Sequence, residues 1–223
     1  MRKALRSIGL FALLIGPFSM FFILSKGEHE FQKLPFLFEG NSTGSPAFYN
    51  NLTFTTSVND TMSFSALKGK IIIVSCFAAS CPNHCPVDPK MMKFQLFDQI
   101  LETKGFKDVV MISECEGSDS AASFMQQTLE VTSNRWFFVS MPAGKSFFNI
   151  QLNKNNPYKM KDPDGVSNRA YQHSILLIDK EQRVRGFYNA AKSIEYKRVM
   201  QELRLLKKQY AKEKEKLKVN SEQ

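Results

Sequence analysis

The stretch that most constrains the fold runs from Lys70 to Met92, KIIIVSCFAASCPNHCPVDPKMM, where a β-branched run leads into two closely spaced cysteines. Ile71, Ile72, Ile73 and Val74 leave no polar face for water, so they predict a short strand covered on both sides, as at the centre of an α/β sheet. Cys81 and Cys85 follow, each before a proline. From Val87 to about Lys104 the apolar residues Met91, Met92, Phe94, Leu96, Phe97, Ile100 and Leu101 recur at roughly helical spacing. The thiols therefore fall at a strand-to-helix turn. Pro86 suits the first helical position, which would set Cys85 at the helix N-terminus. There the unpaired N–H groups and the dipole favour a thiolate, and a thiol pKa can drop to about 3.5–7.5.

The rest of the chain supplies the elements such a turn needs. Leu52–Thr56 and Thr61–Phe64, with Asn59 and Asp60 between, predict a hairpin. Asp108–Glu114 predicts a second central strand, Ala121–Leu129 a helix capped by Ser118 or Ser120, and Trp136–Ser140 a short strand. Pro142–Leu152 reads as a further short helix and residues 153–168 as a loop. The run after His173, SILLID, predicts a buried strand that turns at Lys180–Gln182 into Val184–Tyr188. Ile194 to about Leu217 closes the chain as a helix, with Ile194, Val199, Met200, Leu203, Leu206 and Tyr210 as its apolar face. This order is α/β, of the thioredoxin type: a central sheet flanked by helices.

At 223 residues and 43% hydrophobic, the chain can bury one sizeable core. Its net charge of +9 sits at the ends. Arg2, Lys3 and Arg6 supply three charges, and Lys192 to Lys218 supplies six more, ten Lys or Arg against four Glu. The body between is close to neutral and shows no basic stripe interleaved with aromatics, which argues against nucleic acid. The run Gly9–Ser25 carries no charge, and as a helix the uncharged span between Arg6 and Lys26 would be about 28 Å long, close to the hydrocarbon thickness. A single membrane anchor is expected, its short basic end in the cytoplasm and the rest exported to the periplasmic side of the inner membrane. A cleaved signal peptide is the other reading, but no A-x-A-like site closes the run. The expected organisation is an anchor over 1–25, a spacer over 26–50, a thioredoxin-like domain over 51–210 and a charged extension over 211–223. The extension reads as a solvated helix whose basic excess could touch anionic headgroups.

Export would place the four cysteines where disulfides persist. Cys76 and Cys115 fall in or beside strand-like runs and read as buried, inert thiols, with a bridge between them as the alternative. The chain has three histidines: His29 in the spacer, His84 between Cys81 and Cys85, and His173 at the start of the strand after the long loop. That strand start is expected beside the cysteine turn, so His173 can face Cys81 and Cys85. Two thiolates and an imidazole form a soft donor set suited to Cu(I), able to hold Cu(II) and acceptable to zinc. His84 reads as an exposed loop residue that could tune the thiols.

The sequence Cys81-Pro82-Asn83-His84-Cys85-Pro86 after a GKIIIV strand, followed about ninety residues later by His173-Ser-Ile-Leu-Leu-Ile-Asp-Lys-Glu-Gln-Arg-Val-Arg-Gly-Phe-Tyr, resembles the Sco/SenC family over roughly Leu52 to Leu206. Members of that family are membrane-anchored, thioredoxin-like copper proteins serving assembly of the binuclear copper centre of cytochrome c oxidase. The resemblance implies copper ligation by Cys81, Cys85 and His173, with a copper-accepting oxidase subunit and a thioredoxin-like reductant as partners. Phe77-Ala78-Ala79-Ser80 and Glu114-Cys115-Glu116-Gly117 depart from the family pattern on either side of the cysteine motif. The rival reading is a thiol-disulfide oxidoreductase acting on exported proteins through Cys81 and Cys85 as a redox pair; a peroxidase or redox sensor is a third. Thioredoxin-like exchangers carry a proline just before the strand facing their cysteines, whereas this chain reads Arg169-Ala170-Tyr171-Gln172-His173 there.

Overall fold

The computed structural model describes residues 33–37, 49, 52–78, 88–116, 120–143, 145–148 and 174–221, without the side chains of Ala78 and Glu116. The chain divides into two compact units, Met1–Gln32 and Lys33–Gln223; the first, with the expected anchor Gly9–Ser25, lies outside the described residues. Among the described residues no helix is long and apolar enough to cross a membrane.

The second unit is built on a seven-stranded sheet. Its strands in chain order are β1 (Thr53–Thr56), β2 (Thr61–Ser63), β3 (Ile71–Ala78), β4 (Val109–Glu116), β5 (Trp136–Ser140), β6 (Ser174–Ile178) and β7 (Val184–Asn189), arranged in space as β2-β1-β5-β4-β3-β6-β7. β3, β4 and β5 run parallel, and β6 and β7 form an antiparallel hairpin against β3. β3 outruns the expected Ile71–Val74 because the polar Ser75 does not end it. Its hydroxyl lies 2.7 Å from that of Ser113, its register partner on β4, so a buried donor is satisfied inside the sheet.

Alternation along β3 divides the interior into two cores. Ile71, Ile73 and Phe77 join one cluster, while Ile72, Val74 and Cys76 join the other. The first core is covered by helix. It receives α1 (Pro89–Met92), a π turn (Lys93–Phe97), α2 (Asp98–Glu102), α3 (Ala121–Thr128) and the first half of α4 (Ser193–Ser221). The other face, among the described residues, is covered by Leu37, Tyr49, Leu52, a 3-10 turn over Phe64–Leu67, and Phe147 and Phe148. Rings of Tyr49, Phe64, Phe54 and Phe147 pack there with centroids 4.8–5.6 Å apart.

Several sequence expectations need correcting. The helix expected from Val87 begins at Pro89, with Asp88 as its cap: the Asp88 carboxylate accepts from Lys90 N at 2.9 Å and Pro89 fills the first turn. Met92, Leu96, Phe97 and Ile100 face the core, whereas Met91, Phe94 and Leu101 form an outward stripe, Phe94 being 71% exposed. On α4 the inward residue of the first turn is Tyr196, and Ile194 is 61% exposed. Of the helix expected over Pro142–Leu152, residues 142–143 and 145–148 form turns and irregular chain, and the remainder lies outside the described residues. The backbone there is claimed from a distance, since Phe147 N donates to the Glu114 carboxylate at 3.0 Å and Phe147 O accepts from the Tyr49 hydroxyl at 3.1 Å.

The segment read as a spacer also contributes to the fold. Leu34 and Leu37 are buried, and Leu37 N donates to Val184 O at 3.1 Å along the outer side of β7. Arg185, 5% exposed, reaches from β7 to the carbonyls of Leu34 at 2.6 Å and Pro35 at 3.2 Å. Its guanidinium also pairs with the fully buried Asp179 at 3.0 Å and sits 4.3 Å from the Phe36 ring. Residues 33–37 thus belong to the domain.

Candidate functional site

Two strand ends frame the place where the sequence puts the chemistry. β3 runs out at Ala78, three residues before Cys81, and β6 starts at Ser174, immediately after His173. The two strands are antiparallel neighbours, with Ser75 opposite Ile175 as the pair nearest this end. The C-terminal end of β3 and the N-terminal end of β6 therefore lie side by side at one end of the sheet. Cys81, His84, Cys85 and His173 themselves lie outside the described residues, as do His29 and the sequence from Arg169 to Gln172.

The helix start bears on how Cys85 could be activated. The cap is Asp88, three residues beyond Cys85, so the expectation of a thiol at the helix N-terminus with Pro86 in the first turn is overturned. The dipole's influence is strongest within the first turn, and the Asp88 carboxylate already occupies that cap.

Beneath the strand ends lies a buried polar layer on both faces of the sheet. On the helix face, Trp136 Nε1 donates to Ser113 Oγ at 2.8 Å, and Ser113 Oγ in turn meets Ser75 Oγ. On the other face is Glu114, 4% exposed and opposite Cys76 in register. Its Oε2 accepts from Ser146 Oγ at 2.9 Å and from Phe147 N. Burial and this neighbouring negative charge push the Tyr49 hydroxyl pKa well above the ordinary tyrosine range.

Cys76 and Cys115 are buried and form no disulfide, as expected for inert thiols. Their placement explains why no bridge joins them: Cys76 packs in one core and Cys115 in the other, on opposite faces of the sheet. Burial pushes the Cys115 thiol up to about 12, opposed by a backbone hydrogen bond from Val139 and reinforced by Glu114. At neutral pH Cys115 is a protonated thiol, a poor nucleophile and a poor soft-metal ligand. Among the described residues no group of three His, Cys, Asp or Glu could hold a metal ion.

Sequence reasoning missed Glu114 and the Asp179–Arg185 pair. For Glu114 the signal was a carboxylate inside an otherwise apolar strand, VVMISEC, which burial makes costly without partners. For Arg185 it was a charged residue inside the strand expected over Val184–Tyr188, between Val184 and the apolar Phe187.

The architecture is that of a thioredoxin-like protein. No known protein family's sequence profile matches the chain, and no curated protein matches it. Solved structures do. A proposed electron transfer protein from Aquifex aeolicus VF5 aligns with a TM-score of 0.54 at 18% identity, over 74% of this chain and 96% of that one. BsSco, a member of the Sco family of cytochrome c oxidase assembly proteins in which a disulfide switch has been identified, aligns at 0.50 and 18% identity, over 74% and 98%. A proposed protein disulfide isomerase from Bacteroides thetaiotaomicron aligns at 0.51 and 12% identity, over 79% and 95%. At these identities the likeness establishes a Sco-like thioredoxin fold.

Proposed function

We propose that this chain is a membrane-anchored copper-binding protein that delivers copper to, or matures, the copper centre of a respiratory oxidase. Cys81 and Cys85 serve as thiolate ligands and His173 as the imidazole ligand, with copper as cargo. Residues 1–25 act as the anchor and the folded unit stands on the periplasmic side. The observation that carries the reading is the side-by-side position of the β3 end and the β6 start, because Cys81 follows the first by three residues and His173 precedes the second by one. The donor chemistry agrees, since two thiols and an imidazole favour a soft, monovalent or borderline ion. BsSco, which shares the fold, belongs to a family of oxidase assembly proteins.

Loading requires both thiols reduced and deprotonated, so the same pair links copper binding to disulfide exchange. Ligation by Cys85 and His173 would clip a loop of almost ninety residues, and a ligand that binds only the folded state raises its stability. The reduced chain should therefore bind one Cu(I) and melt at a higher temperature when loaded. His173→Ala should remove most of that rise and still permit a Cys81–Cys85 disulfide. An equal copper-induced rise in wild type and His173→Ala would refute the ligand assignment and favour a thiol-disulfide oxidoreductase acting through Cys81 and Cys85.

A further inference from the structure

The last helix outruns the fold that it helps to cover. Through Leu206 one face of α4 is buried in the first core, and the partly buried Tyr210 packs against it. From Ala211 to Ser221 every residue is exposed. Lys212, Lys214, Lys216 and Lys218 lie in this part against Glu213 and Glu215, and Leu217 and Val219 stand in solvent among them. Nothing in the copper reading uses this extension.

Its point of departure from the domain is informative. Arg185 Nη2 donates both to Leu34 O at 2.6 Å and to Gln209 Oε1 at 3.5 Å. One nitrogen thus touches the place where residues 33–37 meet the sheet and the place where α4 leaves it. In the sequence, eight residues from Lys26 to Lys33 separate the uncharged run Gly9–Ser25 from Leu34, a contour of at most about 28 Å. The exposed part of α4 adds about 16 Å of helix from the same point.

We propose that the extension 211–221 docks on the anionic headgroups of the membrane that the chain's own N-terminus spans. This rests on the anchor reading of Gly9–Ser25. The lysines supply the attraction, since each basic residue near an anionic surface strengthens binding about fivefold, and the two glutamates offset part of it. Tethering makes the contact intramolecular, so a weak attraction suffices to hold it. Val219 lies on the same side of the helix as Lys212 and Lys216 and adds an apolar contact at headgroup depth, while Leu217 projects to the opposite side. Docking at this point fixes which side of the domain faces the bilayer.

The test uses the full chain reconstituted with phosphatidylcholine vesicles or with vesicles containing phosphatidylglycerol, with hydrogen exchange read over 211–221. Resistance to alkaline extraction is measured in parallel to report insertion of the anchor. On phosphatidylglycerol the amides of 211–221 should exchange at least tenfold more slowly than on phosphatidylcholine. The protection should vanish in 0.5 M NaCl, and in a variant carrying Lys212→Glu, Lys214→Glu, Lys216→Glu and Lys218→Glu. These substitutions lie on the exposed part of α4, so the exchange of its buried first half serves as the control for folding. Equal exchange on the two lipids overturns the proposal, whether or not the anchor inserts. Protection that follows protein density and not lipid charge assigns the extension to contact between chains, and also overturns it. Lipid-dependent protection in a chain that alkaline extraction removes supports docking and refutes the anchor alone.

Discussion

Replacing Arg185 by Met tests whether residues 33–37 are a built part of the domain. The substitution keeps an apolar stem and deletes the guanidinium that joins Asp179, Leu34 and Pro35. Removing one member of a buried ion pair costs about 3–5 kcal/mol when the other is left uncompensated. Here Asp179 is not abandoned: Arg183 Nε remains at 2.8 Å, and the backbone N–H groups of Glu181 and Arg183 remain at 3.1 and 2.9 Å. The carbonyls of Leu34 and Pro35, however, lose this donor, and each can recover only by lifting toward water. A loss of about 3 kcal/mol follows, near the lower end of that range. For a folded unit of this size it corresponds to a fall in Tm of roughly 6–12 °C. Arg185→Lys should behave similarly, because one ammonium cannot span a carboxylate and two carbonyls. Thermal melts of the full chain in mild detergent give the first reading, and hydrogen exchange at the Leu37 amide gives the second. That amide, bonded to Val184 O in the wild type, should exchange much faster in the variant. A Tm within about 2 °C of wild type with the Leu37 amide equally protected would refute the reasoning.

Serine at both Cys76 and Cys115 should leave copper stoichiometry unchanged at a cost of roughly 1–3 kcal/mol per unpaired hydroxyl, measured by metal analysis and urea melts; lost copper with an intact fold would count against the ligand set. Cys115, Tyr49, Tyr196 and Tyr210 all have pKa values raised by burial first of all. Such groups hold their protons more tightly when folded, so stability is full below their unfolded values and should decline above about pH 9, with Cys115→Ala flattening the limb between about pH 9 and 12. Asp108 behaves in the opposite sense. Burial opposes its ionisation, but hydrogen bonds and charge from Lys180 and Lys207, 2.7 and 2.5 Å away, outweigh that and lower its pKa. Its contribution is present above the unfolded carboxylate range and lost as pH falls through the folded value, so Asp108→Asn should flatten the acid limb below about pH 4 in melts run against pH.

The sheet was legible because its central strands are continuous β-branched or apolar runs that no exposed element could tolerate. The hairpin of β6 and β7 was legible from its tight polar turn. The errors came where distant partners decide local structure. Pro86 and Pro89 offer two helix starts, and Asp88 decides between them by supplying a carboxylate at the right place. Residues 145–148 look helical by composition, yet Glu114, more than thirty residues earlier in the chain, takes the Phe147 N–H. Leu34 and Leu37 look like scattered apolar residues in a linker, and their partners lie near Arg185, about 150 residues away. As for the candidate site, adjacency of the two strand ends could be inferred from order alone, whereas the buried layer under it could not. Its members pair across strands, and pairing across strands leaves no local pattern.

The contact between Leu37 and Val184 has a consequence for solubility. β7 is an outermost strand, and an outermost strand with bare amides and carbonyls is a template for pairing with another molecule. The opposite margin, β2, has only three residues and offers little to pair with. Residues 33–37 shield part of the more dangerous margin with a backbone hydrogen bond and the Phe36 ring. A fragment beginning at Leu52 would lose that shield and should self-associate through β7, whereas one beginning at Lys26 keeps it and should remain monomeric.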